Sequence, residues 1–131
     1  MLFHKASVAA ALLLASINGC GPAKLNDTRT LNLDGFGDIQ VLELDPQPKP
    51  QTIRVEFSTS GGEVSVFLYK EEDVRGNEGV VNANPAKAIA KSTKKKEDNI
   101  SAEVPPNTAT RVVIECGSKK TEVKIKITNS K

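Results

Sequence analysis

Along most of this chain hydrophobic and polar positions alternate with a period of two, as expected of extended strands with one dry and one wet face. The alternation is cleanest near the C-terminus. There Val123, Ile125 and Ile127 are interleaved with Glu122, Lys124 and Lys126, and upstream Val112, Ile114 and Cys116 are interleaved with Arg111, Val113 and Glu115. Gly117-Ser118-Lys119-Lys120 joins these stretches, so the pattern predicts a hairpin of strands 111–116 and 121–128. A second hairpin is predicted over 52–69. Ile53, Val55 and Phe57 mark the dry face of its first strand, Ser60-Gly61-Gly62 turns the chain, and Val64, Val66 and Leu68 open the return strand with Phe67 and Tyr69 on its other side.

Elsewhere the period is weaker and the breaks decide. Residues 30–33 read as a short first strand, and Asp34-Gly35-Phe36-Gly37-Asp38 reads as a turn. In 39–44, Ile39 and Val41 oppose Leu42 and Leu44, which predicts either a bulge or a strand buried on both faces. Pro46, Pro48 and Pro50 remove ladder donors at every second position, so 45–51 is expected to be an extended connector. Asn84 before Pro85 is a helix-start signal. The apolar residues that follow are too small and few to hold a helix on a core, so a strand at 87–93, a charged turn at 94–98 and a returning strand at 99–104 are expected instead. Pro105-Pro106-Asn107 is a further break. About eight short strands without a convincing helix predict an all-β fold, an antiparallel β-sandwich of jelly-roll type, forming one domain over 30–131.

The first nineteen residues follow another logic. A short basic start at 1–5 precedes an apolar run at 6–17 and the sequence Ile17-Asn18-Gly19-Cys20. The run is well short of the ~20 residues that span a bilayer. This order resembles the lipobox of bacterial lipoproteins. The resemblance implies a signal peptide at 1–19, acyl chains on Cys20, and a lipid-anchored protein of the bacterial envelope, on the outer-membrane or periplasmic face. Residues 20–29 would then be the lipidated cysteine and a flexible tether with a reach of roughly 30 Å. A soluble secreted protein, for which Gly19 also suits a cleavage site, and an uncleaved anchor are the alternatives.

Composition narrows the chemistry. The 18 basic and 16 acidic residues nearly balance, and loss of Lys5 with the signal brings them closer. No concentrated basic field remains to attract nucleic acid. The single histidine, His4, lies in the signal, so the exported part has no imidazole. Of the two cysteines, Cys116 stays unpaired once Cys20 is acylated, and its place among alternating apolar residues predicts a small buried core thiol. Asp34 and Asp38 are weak candidates for calcium, since a calcium loop normally brings more oxygen ligands than two carboxylates. Glu71-Glu72-Asp73 reads as a solvated loop, and Lys94-Lys95-Lys96, followed at once by Glu97 and Asp98, as a solvated tip. With no tryptophan, and with only Phe36, Phe57, Phe67 and Tyr69 beyond the signal, few aromatics are left to stack on a sugar.

The stretches 53–69, 88–92, 100–106 and 112–128 together resemble the bacterial pre-peptidase C-terminal domain and related jelly-roll modules of exported proteins. That resemblance implies a sandwich fold and supplies no catalytic residues. The expected function is therefore a lipid-anchored, non-enzymatic interaction or structural module without a cofactor, meeting an envelope protein or glycan. The alternative is a ligand- or carbohydrate-binding accessory domain, calcium-dependent if Asp34 and Asp38 hold the ion, working with a separate exported enzyme.

Overall fold

Nearly every step along this chain changes sheet. The computed structural model describes residues 24–75 and 82–130. Its strands are β1 (Asn26–Leu33), β2 (Ile39–Leu44), β3 (Gln51–Thr59), β4 (Val64–Lys70), β5 (Val74–Arg75), β6 (Asn82–Ala83), β7 (Ala90–Lys95), β8 (Glu97–Val104), β9 (Thr110–Cys116) and β10 (Thr121–Ser130). One four-stranded sheet has the order β1-β10-β3-β8, the other β2-β9-β4-β7, and β5-β6 is a small two-stranded ribbon. All pairings are antiparallel. Among the eight long strands, only the step from β4 to β7 returns to its own sheet, by way of β5, β6 and two 3-10 turns, Glu71–Asp73 and Pro85–Lys87. The fold is an all-β, two-sheet sandwich with jelly-roll strand order, formed as a single domain.

This order overturns the two hairpins expected at 52–69 and 111–128. β3 and β4 lie in opposite sheets, and so do β9 and β10. The alternation was correct about which face of each strand is dry, but a core-facing stripe looks the same whether the next strand lies beside it or across the core. The short links are corners, and they brace one another. Gly117 N donates to Glu63 O at 2.9 Å and Ser60 N to Glu122 O at 3.0 Å. Gly61 N donates to Thr121 Oγ1 at 3.0 Å. The pair expected around 94–98 is likewise a crossover, with its break at Lys96 and with Lys94 at φ 53.

The core fills the space between the sheets. Leu33, Ile53, Val55, Val64, Val66, Leu68, Val112, Ile114 and Val123 are all fully buried there, with Leu31, Leu42, Leu44, Phe57, Ile100, Val104, Cys116, Ile125 and Ile127. β1 begins at Asn26 and not at residue 30, so 26–29 belongs to the sheet and not to a tether. No apolar period announced this, because the inward positions at that end of the strand are Asp27 and Arg29. They satisfy each other, Arg29 Nε donating to Asp27 Oδ2 at 2.7 Å. β2 runs without a bulge and is flanked by apolar residues on both faces. The register shift falls in the β4–β7 pair, between Val64 and Val66. Asn84 caps only a 3-10 turn, its Oδ1 accepting from Ala86 N at 3.0 Å, before β7 starts at Ala90.

Cys116 is buried as its place in the alternation predicts, and its Sγ donates to Lys119 O at 3.1 Å. Replacing it by serine should cost about 1 kcal/mol, at the low end for a hydroxyl placed in a core, because the same carbonyl is there to receive the new donor. Urea unfolding of Cys116→Ser checks this. Native-state labelling by a thiol reagent should be much slower than labelling in denaturant, and equal rates would refute the buried position.

Candidate binding face

The two outer faces of the sandwich differ. On the β2-β9-β4-β7 sheet, Phe67, Tyr69 and Val113 point outward, yet Phe67 is 8%, Tyr69 2% and Val113 5% exposed. They form a second apolar cluster with Val74 from the segment between β4 and β7, and Ile39, Val41, Ala83 and Ala88 pack against it. Phe67 and Tyr69 stack with ring centroids 5.9 Å apart. Burial, with the Glu115 carboxylate nearby as a lesser cause, raises the Tyr69 hydroxyl above its ordinary pKa. At the proximal end of this face Arg111 reaches Glu71 at 3.6 Å and Glu43 at 4.0 Å. The apolar middle of this face is thus covered, among the described residues, by the chain's own segment.

The outer face of the β1-β10-β3-β8 sheet is open. It carries a groove of about 520 Å³ lined by residues of all four strands, among them Thr28, Glu56, Ser58, Glu97, Asn99, Lys124 and Lys126. Strand register sets these side chains in two rows. Thr28, Lys126, Glu56 and Asn99 are successive cross-strand partners, as are Thr30, Lys124, Ser58 and Glu97. Neighbouring strands are ~4.8 Å apart, and successive rows on one face are separated by ~6.8 Å. Phe57 and Ile125 alternate to the inner face and are buried, so the floor between the rows is backbone. Glu56 lies 3.7 Å from Arg54 in a solvent-exposed ion pair, and no ion pair among the described residues engages Lys124, Lys126 or Glu97.

Behind the groove, on the inner side of β8, Asp98 is tied to the opposite sheet. Ser92 Oγ donates to its Oδ2 at 2.7 Å and the Asn99 amide to its Oδ1 at 2.8 Å. The Ser92 hydroxyl first, then the Asn99 amide, hold this carboxyl below the usual carboxylate range. It stays ionised at neutral pH and fixes the start of β8.

The residues singled out in the sequence lie elsewhere. Asp34 and Asp38 close the turn between β1 and β2, where Asp38 Oδ2 accepts from the Asp34 amide at 2.9 Å and Asp38 N donates to Gly35 O at 3.0 Å. Gly37, at φ 86, supplies the left-handed residue of this turn, and Phe36 projects from it 83% exposed. One of the two weak calcium candidates, Asp38, is thus engaged in holding the turn. No group of three metal-ligating side chains occurs among the described residues. Cys20 and the signal segment lie outside the described residues. Lys94, Lys95 and Lys96 are exposed at the β7–β8 corner, as the sequence suggests. The groove itself was not anticipated. Alternation put Lys124, Lys126 and Glu56 in water, but only the strand order sets Thr28 and Asn99 in line with them.

No protein-family model and no curated protein matches the sequence. Solved structures of similar shape do exist. The periplasmic inhibitor of g-type lysozyme from Aeromonas hydrophila superposes with a TM-score of 0.58 at 9% identity, over 82% of this chain and 88% of that one. The Yersinia pseudotuberculosis-derived mitogen gives 0.55 at 9% identity, over 80% of this chain and 86% of that one. The pre-peptidase C-terminal domain of a Bacillus anthracis collagenase gives 0.54 at 13% identity, over 79% of this chain and 89% of that one. At such identities the likeness is one of fold. It includes, weakly, the domain that the strand spacing resembles.

Proposed function

We propose that this chain is a lipid-anchored, non-enzymatic binding module of the bacterial envelope, and that the open face of the β1-β10-β3-β8 sheet is its recognition surface. The observation that carries this reading is the asymmetry of the sandwich: one outer face has its apolar middle covered by the chain's own β4–β7 excursion, while the other keeps a polar groove on a rigid sheet. Rigid presentation of polar groups is what a binding surface needs, because little ordering entropy is then lost on association. Export is supported by the 1–20 pattern and by the fold's likeness to a periplasmic inhibitor of g-type lysozyme. Two or three acyl chains on Cys20 would hold the protein at a membrane, where one alone gives marginal binding. Because Leu25 is already bonded to Asn129, no more than four residues of the sequence separate the folded domain from Cys20.

Fractionation and affinity capture test the proposal together. The wild type should sediment with membranes and Cys20→Ala should not, with mass spectrometry finding acyl chains on Cys20. Envelope partners retained by the wild type should be lost by the double variant Lys124→Glu/Lys126→Glu at unchanged thermal stability. An unmodified Cys20 in the mature protein would remove the anchor, and undiminished capture by the double variant would remove the groove as the recognition surface.

A further inference from the structure

The groove's charges are sorted across its width. Both cations, Lys124 and Lys126, stand on β10, next to the edge strand β1. The anions Glu56, which shares an exposed ion pair with Arg54 of its own strand, and Glu97 stand on β3 and β8, toward the other edge. One strand spacing separates Lys126 from Glu56 and two separate Lys124 from Glu97, so opposite charges face a bound molecule about 5 to 10 Å apart. Between and beside them are the hydroxyls of Thr28 and Ser58 and the amide of Asn99, groups that satisfy donors and acceptors of either kind. A polyanion fits poorly, since its charge would meet Glu56 and Glu97. A neutral glycan also fits poorly, since the only aromatic residue in the lining, Phe57, is turned into the core and leaves no ring to stack on.

We infer that the groove takes a short, extended peptide bearing both a free ammonium group and a carboxylate, with the carboxylate on Lys124 and Lys126 and the ammonium toward Glu56 and Glu97. This rests on the open face being the recognition surface proposed above. Each charged end would make charge-assisted hydrogen bonds, and the hydroxyls and Asn99 would meet the peptide's own N–H and C=O groups.

Isothermal titration of the full chain, purified in detergent, tests this with tri-alanine carrying free ends, whose ammonium and carboxylate are its termini alone. N-acetylated and C-amidated forms of the same peptide, and the neutral sugar chitotetraose, serve as comparisons. The free peptide should bind, each blocked form should bind about tenfold or more weakly, and Lys124→Glu and Lys126→Glu should each lose binding with an unchanged melting temperature. A version ending in D-alanine separates two sources of such a ligand, because tighter binding of it points to a cell-wall stem peptide and tighter binding of the L form to a protein segment. Equal affinity for blocked and free peptides, chitotetraose bound in preference to them, or undiminished binding by the lysine variants would overturn the inference. If the peptides are silent while envelope partners are still captured in a Lys124- and Lys126-dependent way, only the ligand class is wrong. If capture ignores those lysines, the recognition surface itself is wrong.

Discussion

Ile125→Ala is expected to destabilise the protein by about 2 to 5 kcal/mol. Ile125 is 1% exposed on β10, which sits between β1 and β3 in its sheet, and its register partners are Arg29 and Phe57. Truncation removes buried methyl groups and leaves a cavity that two laterally hydrogen-bonded neighbours prevent from collapsing. For a domain whose total stability is on the order of 5 to 15 kcal/mol, that is a large share. The flanking residues supply the control. Lys124→Gln and Lys126→Gln point to the groove and should stay within about 0.5 kcal/mol of wild type. Urea titrations of the three variants read this as a fall in midpoint for Ile125→Ala alone, at an unchanged slope. Similar losses on both faces would contradict the one-sided sheet.

Gly61→Val should cost about 1 to 3 kcal/mol, for the opposite reason. Gly61 lies in the corner between β3 and β4, and a Cβ there would stand 2.9 Å from the backbone carbonyl of Lys120 and 3.1 and 3.3 Å from Thr121 Oγ1 and Cβ. The carbonyl belongs to the neighbouring corner and cannot swing aside as a side chain can. The same crowding would disturb the bond from Gly61 N to Thr121 Oγ1. Gly35 is the matched control, because a Cβ there meets nothing within 4 Å and its φ is not left-handed. Gly35→Ala should therefore be neutral or stabilise by up to about 1 kcal/mol, by restricting the unfolded chain. Thermal unfolding of both variants checks the contrast, and tolerance of Gly61→Val would mean that the two corners are not in contact.

Physical reasons separate what was legible in this sequence from what was not. The period of two is a local property of an extended chain beside a core, so most of the long strands, their dry faces, the buried Cys116 and the inward set Val123, Ile125 and Ile127 could be read from residue order alone. The prolines at 46, 48 and 50 and the glycines at 61 and 62 likewise marked real breaks, because they act through their own backbones. Where a strand's inward residues pair with each other, as Asp27 and Arg29 do, the period vanishes and the start of β1 went unread. Strand order is not a local property at all. Whether the chain at Gly61 and Gly117 folds back beside itself or crosses the core depends on which arrangement buries both dry faces, and that is decided by all eight long strands together. The covering of one outer face's apolar middle by Val74, Ala83 and Ala88, and the alignment of Thr28, Lys126, Glu56 and Asn99 across four strands, exist only once that order is set.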